Sequence, residues 1–269
     1  VALTQSIVHA AVQAVTEVFP IGAAGHDALI AAFIGMPQSG PGFSLATRAG
    51  LLLAVLVYFW RDVADMASGV IRAAKGKRDP GAGLALHIIV AAVPTLGLGF
   101  AFQTYVAGPW QTTAVMGWCI VGFGLLMLLL DRMSMTVKRI EHLGFTDAIA
   151  ISVCQVLAQI PGVGQAAATM TMARTLGYER PHAVRLALLL MTPVWIAVIG
   201  RDAYMLLAVE RYIVATPDMI AAGTAFMAAL IAIAILMSWL RRATFTPFLV
   251  YRLLIGVGVL LLAYDVIAV

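Results

Sequence analysis

From Gly81 to Leu130 the chain carries no Asp, Glu, Lys or Arg, and His87 is the only histidine in that run. Such a stretch is too long for one bilayer crossing, which takes about 20 residues. Gly108 and Pro109 divide it, so two helices are predicted, near 83–102 and 112–130. Upstream, Phe43 to Trp60 reads as a third, carrying Arg48; downstream, 184–200, 218–240 and 247–265 read as three more. Only 11% of the 269 residues are charged and 62% are hydrophobic, whereas a soluble domain is about 25% charged. These numbers exclude a water-covered globule and a disordered chain. An all-α integral membrane protein is expected, as one polytopic domain over 1–269 with halves at 1–130 and 131–269.

Two apolar segments do not fit as simple spans. Residues 3–35 are broken at Phe19-Pro20-Ile21-Gly22, and residues 147–176 at Ile160-Pro161-Gly162-Val163-Gly164. Each half is too short to cross, and irregular backbone at membrane depth is tolerated only beside a cavity or inside protein. Two re-entrant helical hairpins are therefore predicted beside six transmembrane helices. Charge placement agrees. The segments 61–80, 131–146 and 174–185, with the Arg241-Arg242 turn, hold thirteen Lys and Arg, and the opposite loops hold Arg201 and Arg211. The 103–111 turn carries no charge. Basic loops mark the cytoplasmic side. This puts the N- and C-termini outside and makes the first hairpin dip from outside and the second from inside. Gln13-Ala-Val-Thr-Glu-Val-Phe-Pro20 also resembles Gln155-Val-Leu-Ala-Gln-Ile-Pro161. Paired breaks of opposite orientation point to an inverted repeat around a central binding site.

The first break carries Glu17, Gly22, His26 and Asp27. Charge inside a bilayer is costly and usually functional, so Glu17 is a candidate acid/base or cation ligand and His26 a candidate proton shuttle. The plain alternative is that His26 and Asp27 cap the second half-helix at the aqueous edge. The second break opens a half-helix whose amides at Gly162 to Ala166 form an anion site, or else a tight packing turn. Gln165 and Thr169 are its only polar side chains. Arg48 either pairs with Glu17 or Asp27, faces an anionic head group, or snorkels to the interface. Arg252 reads as a contact to backbone carbonyls, and Gln13, Thr16 and Gln155 as interhelical hydrogen bonders. Cys119 and Cys154 lack metal-ligand spacing, no basic face is interleaved with aromatics for nucleic acid, and the first residues carry no basic leader, so no signal peptide is expected.

At these residues the chain resembles the undecaprenyl-diphosphate phosphatase (bacitracin-resistance) family. The family's first motif reads like EGLTEFLPISSTGH, against QAVTEVFPIGAAGH at 13–26; its second reads like QGLALIPGxSRSGxT, against QVLAQIPGVGQAAAT at 155–169. LLLAVLVYFWRDV (51–63), HIIVAAVPTLGLG (87–99), GYERPHA (177–183) and FLVYRLLIGVGVLLL (248–262) extend the likeness over the chain. The resemblance implies a bacterial inner-membrane protein with six helices, two opposed hairpins and an outward-facing site. It also implies removal of a phosphate from a C55 polyprenyl diphosphate with a divalent cation. The chain departs from the motifs. Gln13 stands for the first glutamate, Gly22, Ala23 and Ala24 for the hydroxyl stretch, and Gly164, Gln165 and Ala166 for serine-arginine-serine, while Glu17, His26 and Thr169 remain.

Loss of one oxyanion donor alone costs about 10²–10³ in rate. The departures therefore lead to an expectation of a non-hydrolytic relative, not an enzyme. It would bind and translocate an amphipathic lipid such as a polyprenyl phosphate, with no cofactor and as a possible homodimer. Glu17 and His26 would couple to protons or a cation. Gln13, Gly22, Asp27, Arg48, Gly162, Gly164, Gln165 and Thr169 would line the lipid site. The alternative is a surviving diphosphatase with a rearranged site, in which Glu17 holds Mg²⁺ or Ca²⁺ or directs water, His26 moves protons and Arg48 replaces the missing arginine.

Overall fold

The computed structural model describes residues 2–34, 40–105 and 108–266. Residue 35 of the first predicted hairpin, residues 106 and 107 of the uncharged turn and the last three residues lie outside them. The described residues are helical, with one isolated bridge between Lys138 and Tyr178 in place of any strand. The helices are α1 Ala2–Val18, α2 Ala23–Ile34, α3 Pro41–Tyr58, α4 Trp60–Ala74, α5 Pro80–Tyr105 and α6 Thr113–Met133 in the first half. The second half holds α7 Phe145–Val156, α8 Gln165–Thr175, α9 Arg180–Ala203, α10 Thr216–Leu240 and α11 Thr246–Ala263. A π-helical turn, Tyr204–Val209, prolongs α9.

Six helices are long and apolar enough to cross a membrane: α3, α5, α6, α9 with its π-turn, α10 and α11. These are the six spans expected from the apolar runs. The apolar faces turned outward, such as Leu86, Ile89, Val93 and Phe100 along α5, are exposed because lipid rather than protein is their solvent. Small residues set the close approaches. A Cβ at Gly50 of α3 would strike the Ala222 carbonyl of α10, and one at Gly256 of α11 would lie 2.6 Å from Val121 Cγ2 of α6. Without a hydrophobic drive between helices in lipid, such contacts carry the packing.

The two broken segments are helix–turn–helix pairs. α1 ends at a turn over 19–22 and resumes as α2; α7 runs through a 3₁₀ turn, Leu157–Gln159, and resumes as α8. α1 packs on α10 of the second half, and α7 packs on α5 of the first. At the α5–α7 contact the Thr95 hydroxyl donates to Gln155 Oε1 at 3.0 Å, as the polar reading of Gln155 expects. The 61–80 segment, read as a basic loop, contains a fifteen-residue helix, α4, which packs on α5.

The end carrying the basic loops is held by buried ion pairs. Arg174, at the last turn of α8, donates from Nε to Asp131 Oδ1 at 2.7 Å and also bonds the Tyr178 carbonyl. Arg180 joins the same carboxylate at 3.0 Å. Arg185 of α9 bonds Asp62 of α4 through two nitrogens. Both Arg174 and Asp131 are nearly inaccessible, so each depends on the other for charge compensation.

Candidate functional site

The turns of the two breaks meet over one side chain. Arg252, in α11 and wholly buried, donates from Nη2 to the carbonyls of Gly162 (2.6 Å) and Val163 (2.8 Å). It also donates from Nη1 to Pro20 O (3.2 Å) and from Nε to Ile120 O (3.0 Å). Four of the five guanidinium N–H donors are thus used: three satisfy the carbonyls of Pro20, Gly162 and Val163 that the Pro/Gly turns withdraw from helical bonding, and the fourth bonds Ile120 O inside α6. Among the described residues no carboxylate neutralises it. The reading of Arg252 as a backbone contact therefore agrees with its geometry, and three of the four partners lie in the breaks themselves.

The turns need glycine. Gly22, Gly162 and Gly164 have φ of 88°, 94° and 78°, the left-handed region where a Cβ is strained. Gly162 is doubly constrained, since a Cβ there would also strike the Met116 carbonyl.

Between the breaks lies a cavity of about 320 Å³. From the first hairpin Gln13, Thr16, Glu17 and Gly22 line it, and from the second Gln159, Gly162, Gly164 and Gln165. α3 adds Thr47 and Arg48, α9 adds Trp195, and Arg252 closes one wall. Gln13 and Glu17 are one turn apart, so they share a helix face. Among the described residues the Glu17 carboxylate has no ion-pair partner. Gln13 Oε1 is buried with no hydrogen-bond donor. Opposite them α8 begins at Gly164 with no side-chain cap. Gln165, Ala166 and Ala167 of its first turn line the same cavity; their amides have no intrahelical acceptor, and the positive end of the helix dipole lies there. Gln165 Oε1 is held by the Trp195 indole N–H at 3.1 Å.

Three expected site residues fall outside this wall: His26, Asp27 and Thr169. The turn at Gly22 sends α2 away from the cavity, so the His26 ring stacks on Tyr251. Its Nδ1 donates to Gly22 O at 2.9 Å and its Nε2 accepts from Tyr251 Oη at 3.0 Å. Both ring nitrogens are thereby committed. Asp27 contacts His9 Nε2 at 3.3 Å. Thr169 is fully buried and donates to the Gln165 carbonyl one turn back, at 2.8 Å. Arg48 is in the wall, yet its ion-pair partner is neither Glu17 nor Asp27. Asp202 of α9 takes Nη1 at 2.8 Å and keeps the guanidinium at the rim. Trp195, Thr47 and Gln159 were not singled out from sequence, because a lone polar or aromatic residue in a long apolar segment carries no pattern.

A divalent cation meets a modest donor set. Among the described residues no group of three His, Cys, Asp or Glu converges, so no all-protein cage exists. Mg²⁺ needs none: it takes one or two protein oxygens and fills its shell with water and substrate phosphate. The Glu17 carboxylate and the orphan Gln13 Oε1 fit that requirement.

The family model described as bacitracin resistance protein BacA matches residues 6–258. A chain named undecaprenyl-diphosphatase 1 from Rhodospirillum rubrum is 41% identical over 97% of this chain and 95% of its own length. Undecaprenyl-diphosphatases of Roseobacter denitrificans (38% identical, 96% of this chain and 98% of the relative) and Desulforudis audaxviator (32%, 96% and 97%) are similar over the same extent. These names denote hydrolases. They overturn the expectation of a non-hydrolytic lipid carrier and, with it, the expectation that the chain is no enzyme. The cavity supplies a physical reason. The departures in the two motifs trim side chains but leave a carboxylate, a rim guanidinium and an uncapped helix start lining one space.

Proposed function

The chain belongs to the bacitracin resistance protein BacA family, and from that premise we propose that it hydrolyses undecaprenyl diphosphate or a closely related polyprenyl diphosphate to the monophosphate and inorganic phosphate. The observation that carries this reading is the cavity in which the unpaired Glu17 carboxylate shares a wall with Arg48 and the first turn of α8. Its volume suits a polar head group, and the polyprenyl chain then lies in the surrounding lipid.

In this mechanism the terminal phosphate docks on the amides of Gln165, Ala166 and Ala167, which need no rearrangement to receive an anion. Arg48 turns from Asp202 to the same phosphate and takes up negative charge at the rim. Glu17 accepts a proton from a water as that water attacks phosphorus. The P–O bond to the bridging oxygen breaks, and the polyprenyl monophosphate leaves with the electron pair. The buried charge of Arg252 favours the anion in the cavity and holds the two turns in register. A divalent ion bound at Glu17 and Gln13 would neutralise diphosphate charge. His26 holds the Gly22 turn and takes no proton in the reaction.

The same reading gives the orientation. The two broken pairs enter from opposite faces as an inverted repeat, supported by the reciprocal packing of α1 on α10 and α7 on α5, and of α2 on α11 and α8 on α6. The basic loops face the cytoplasm of a bacterial inner membrane, and the rim at Arg48 faces the other side.

Replacing Arg48 tests the site. Arg48→Ala is expected to lower phosphate release from a polyprenyl diphosphate by about 10²-fold or more, and Arg48→Lys to retain part of the rate. An unchanged rate in Arg48→Ala would refute the assignment.

A further inference from the structure

α4 is too short to span a bilayer and leaves α3 at an aromatic run, Tyr58-Phe59-Trp60, the residue types that settle at the membrane–water boundary. Successive residues advance by 100° around a helix, and on that wheel α4 has three faces. Asp62, Met66 and Gly69 form the inward face. Asp62 is tied to Arg185 of α9, and a Cβ at Gly69 would lie 2.5 Å from the Ala82 amide of α5. Trp60, Ala64, Ala67 and Ile71, flanked by Val70, form a second face that is apolar yet exposed; Trp60 and Ile71 are 60% and 59% accessible. Arg61, Asp65, Ser68 and Arg72 form the third, polar face. The helix then runs into Lys75, Lys77 and Arg78, all exposed.

The inward face already has its partners in α5 and in Arg185 of α9. The exposed apolar face needs another, and the basic groups beside it identify which. Arg72 is taken by Asp79 at 2.6 Å, and this bond holds the Asp79 carboxyl below the usual carboxylate range. Among the described residues Lys75, Lys77 and Arg78 make no ion pair. An apolar face bordered by unpaired cations at interfacial depth matches one surface, the acyl-chain boundary beneath anionic head groups. We propose that α4 lies in the membrane interface, with Trp60 and Ile71 among the acyl chains, and that it forms with Lys75, Lys77 and Arg78 a binding surface for anionic phospholipid.

The test uses the full chain in phosphatidylcholine vesicles containing spin-labelled phosphatidylglycerol, and needs no hydrolysis. Wild type is expected to retain the anionic label over a phosphatidylcholine label by about threefold or more. The K75Q/K77Q/R78Q triple variant is expected to fall toward parity, and R241Q/R242Q, at the same end, to keep most of the preference. A preference unchanged in the triple variant, or lost equally in both, overturns the proposal. A nitroxide at position 71 (Ile71→Cys) should collide with oxygen, and one at position 68 (Ser68→Cys) with a water-soluble nickel complex. Equal water exposure of the two labels, or protection of both by a protein partner, also overturns it.

Discussion

Arg252 sits where the fold's two irregular turns touch, and its removal exposes the cost of irregular backbone in a membrane. Arg252→Met strands the turn carbonyls of Pro20, Gly162 and Val163 and removes a second bond from Ile120 O in α6. A lost hydrogen bond to a charged donor is worth about 1.5–3 kcal/mol, and an unsatisfied buried acceptor about 1–3. Thermal unfolding in detergent should therefore show a loss of at least about 3 kcal/mol. Arg252→Lys, with three donors instead of five, should recover only part. The type of contact Arg252 makes was legible in the sequence, but its partners were not, since they come from three separate segments, the two breaks and α6. His26 shows the reverse. The motif places it nine residues after Glu17 and suggests proximity, but the left-handed Gly22 between them reverses the chain and points the ring at Tyr251. Only the backbone conformation of that glycine distinguishes the two outcomes. Asp202, the partner of Arg48, had no signal at all, being one carboxylate at the end of an apolar helix 154 residues away.

Among elements, the long apolar helices were readable because lipid-facing composition leaves few other options for a charge-free run. The breaks were readable because Pro and Gly interrupt such runs. α4 was not, since charges recurring every few residues on a short segment look like a loop until the inward stripe of Asp62, Met66 and Gly69 is seen against α5. The second break supports a graded expectation. Gly162→Ala combines a positive φ with a clash at Met116 O, whereas Gly164→Ala meets open space and carries only the backbone strain. The strain alone costs about 1–2 kcal/mol, so Gly164→Ala should destabilise by that amount and Gly162→Ala by clearly more in the same unfolding assay. Equal effects would argue that the Met116 contact does not constrain the turn.

For the whole molecule, the most buried ion pairs cluster at the basic end and none of their residues lines the cavity. The basic end is closed by Asp131 with Arg174 and Arg180, and by Asp62 with Arg185. Removing one partner of a buried pair typically costs about 3–5 kcal/mol. Asp131→Ala should therefore lower the unfolding midpoint strongly, and by more than Asp202→Ala at the half-exposed rim, where a pair is worth about 0–1 kcal/mol. Most of the chain's few charges sit in these loops and pairs. Glu17 is different, a carboxylate that faces the cavity without an ion-pair partner among the described residues, and the central claim rests on it. The most direct measurement is release of inorganic phosphate from undecaprenyl diphosphate by the purified chain with Mg²⁺, compared with Glu17→Gln. Wild type is expected to turn over and Glu17→Gln to fall by about 10²–10⁴-fold with its unfolding midpoint kept. Equal phosphate release from the two proteins, or none from wild type, would contradict the account.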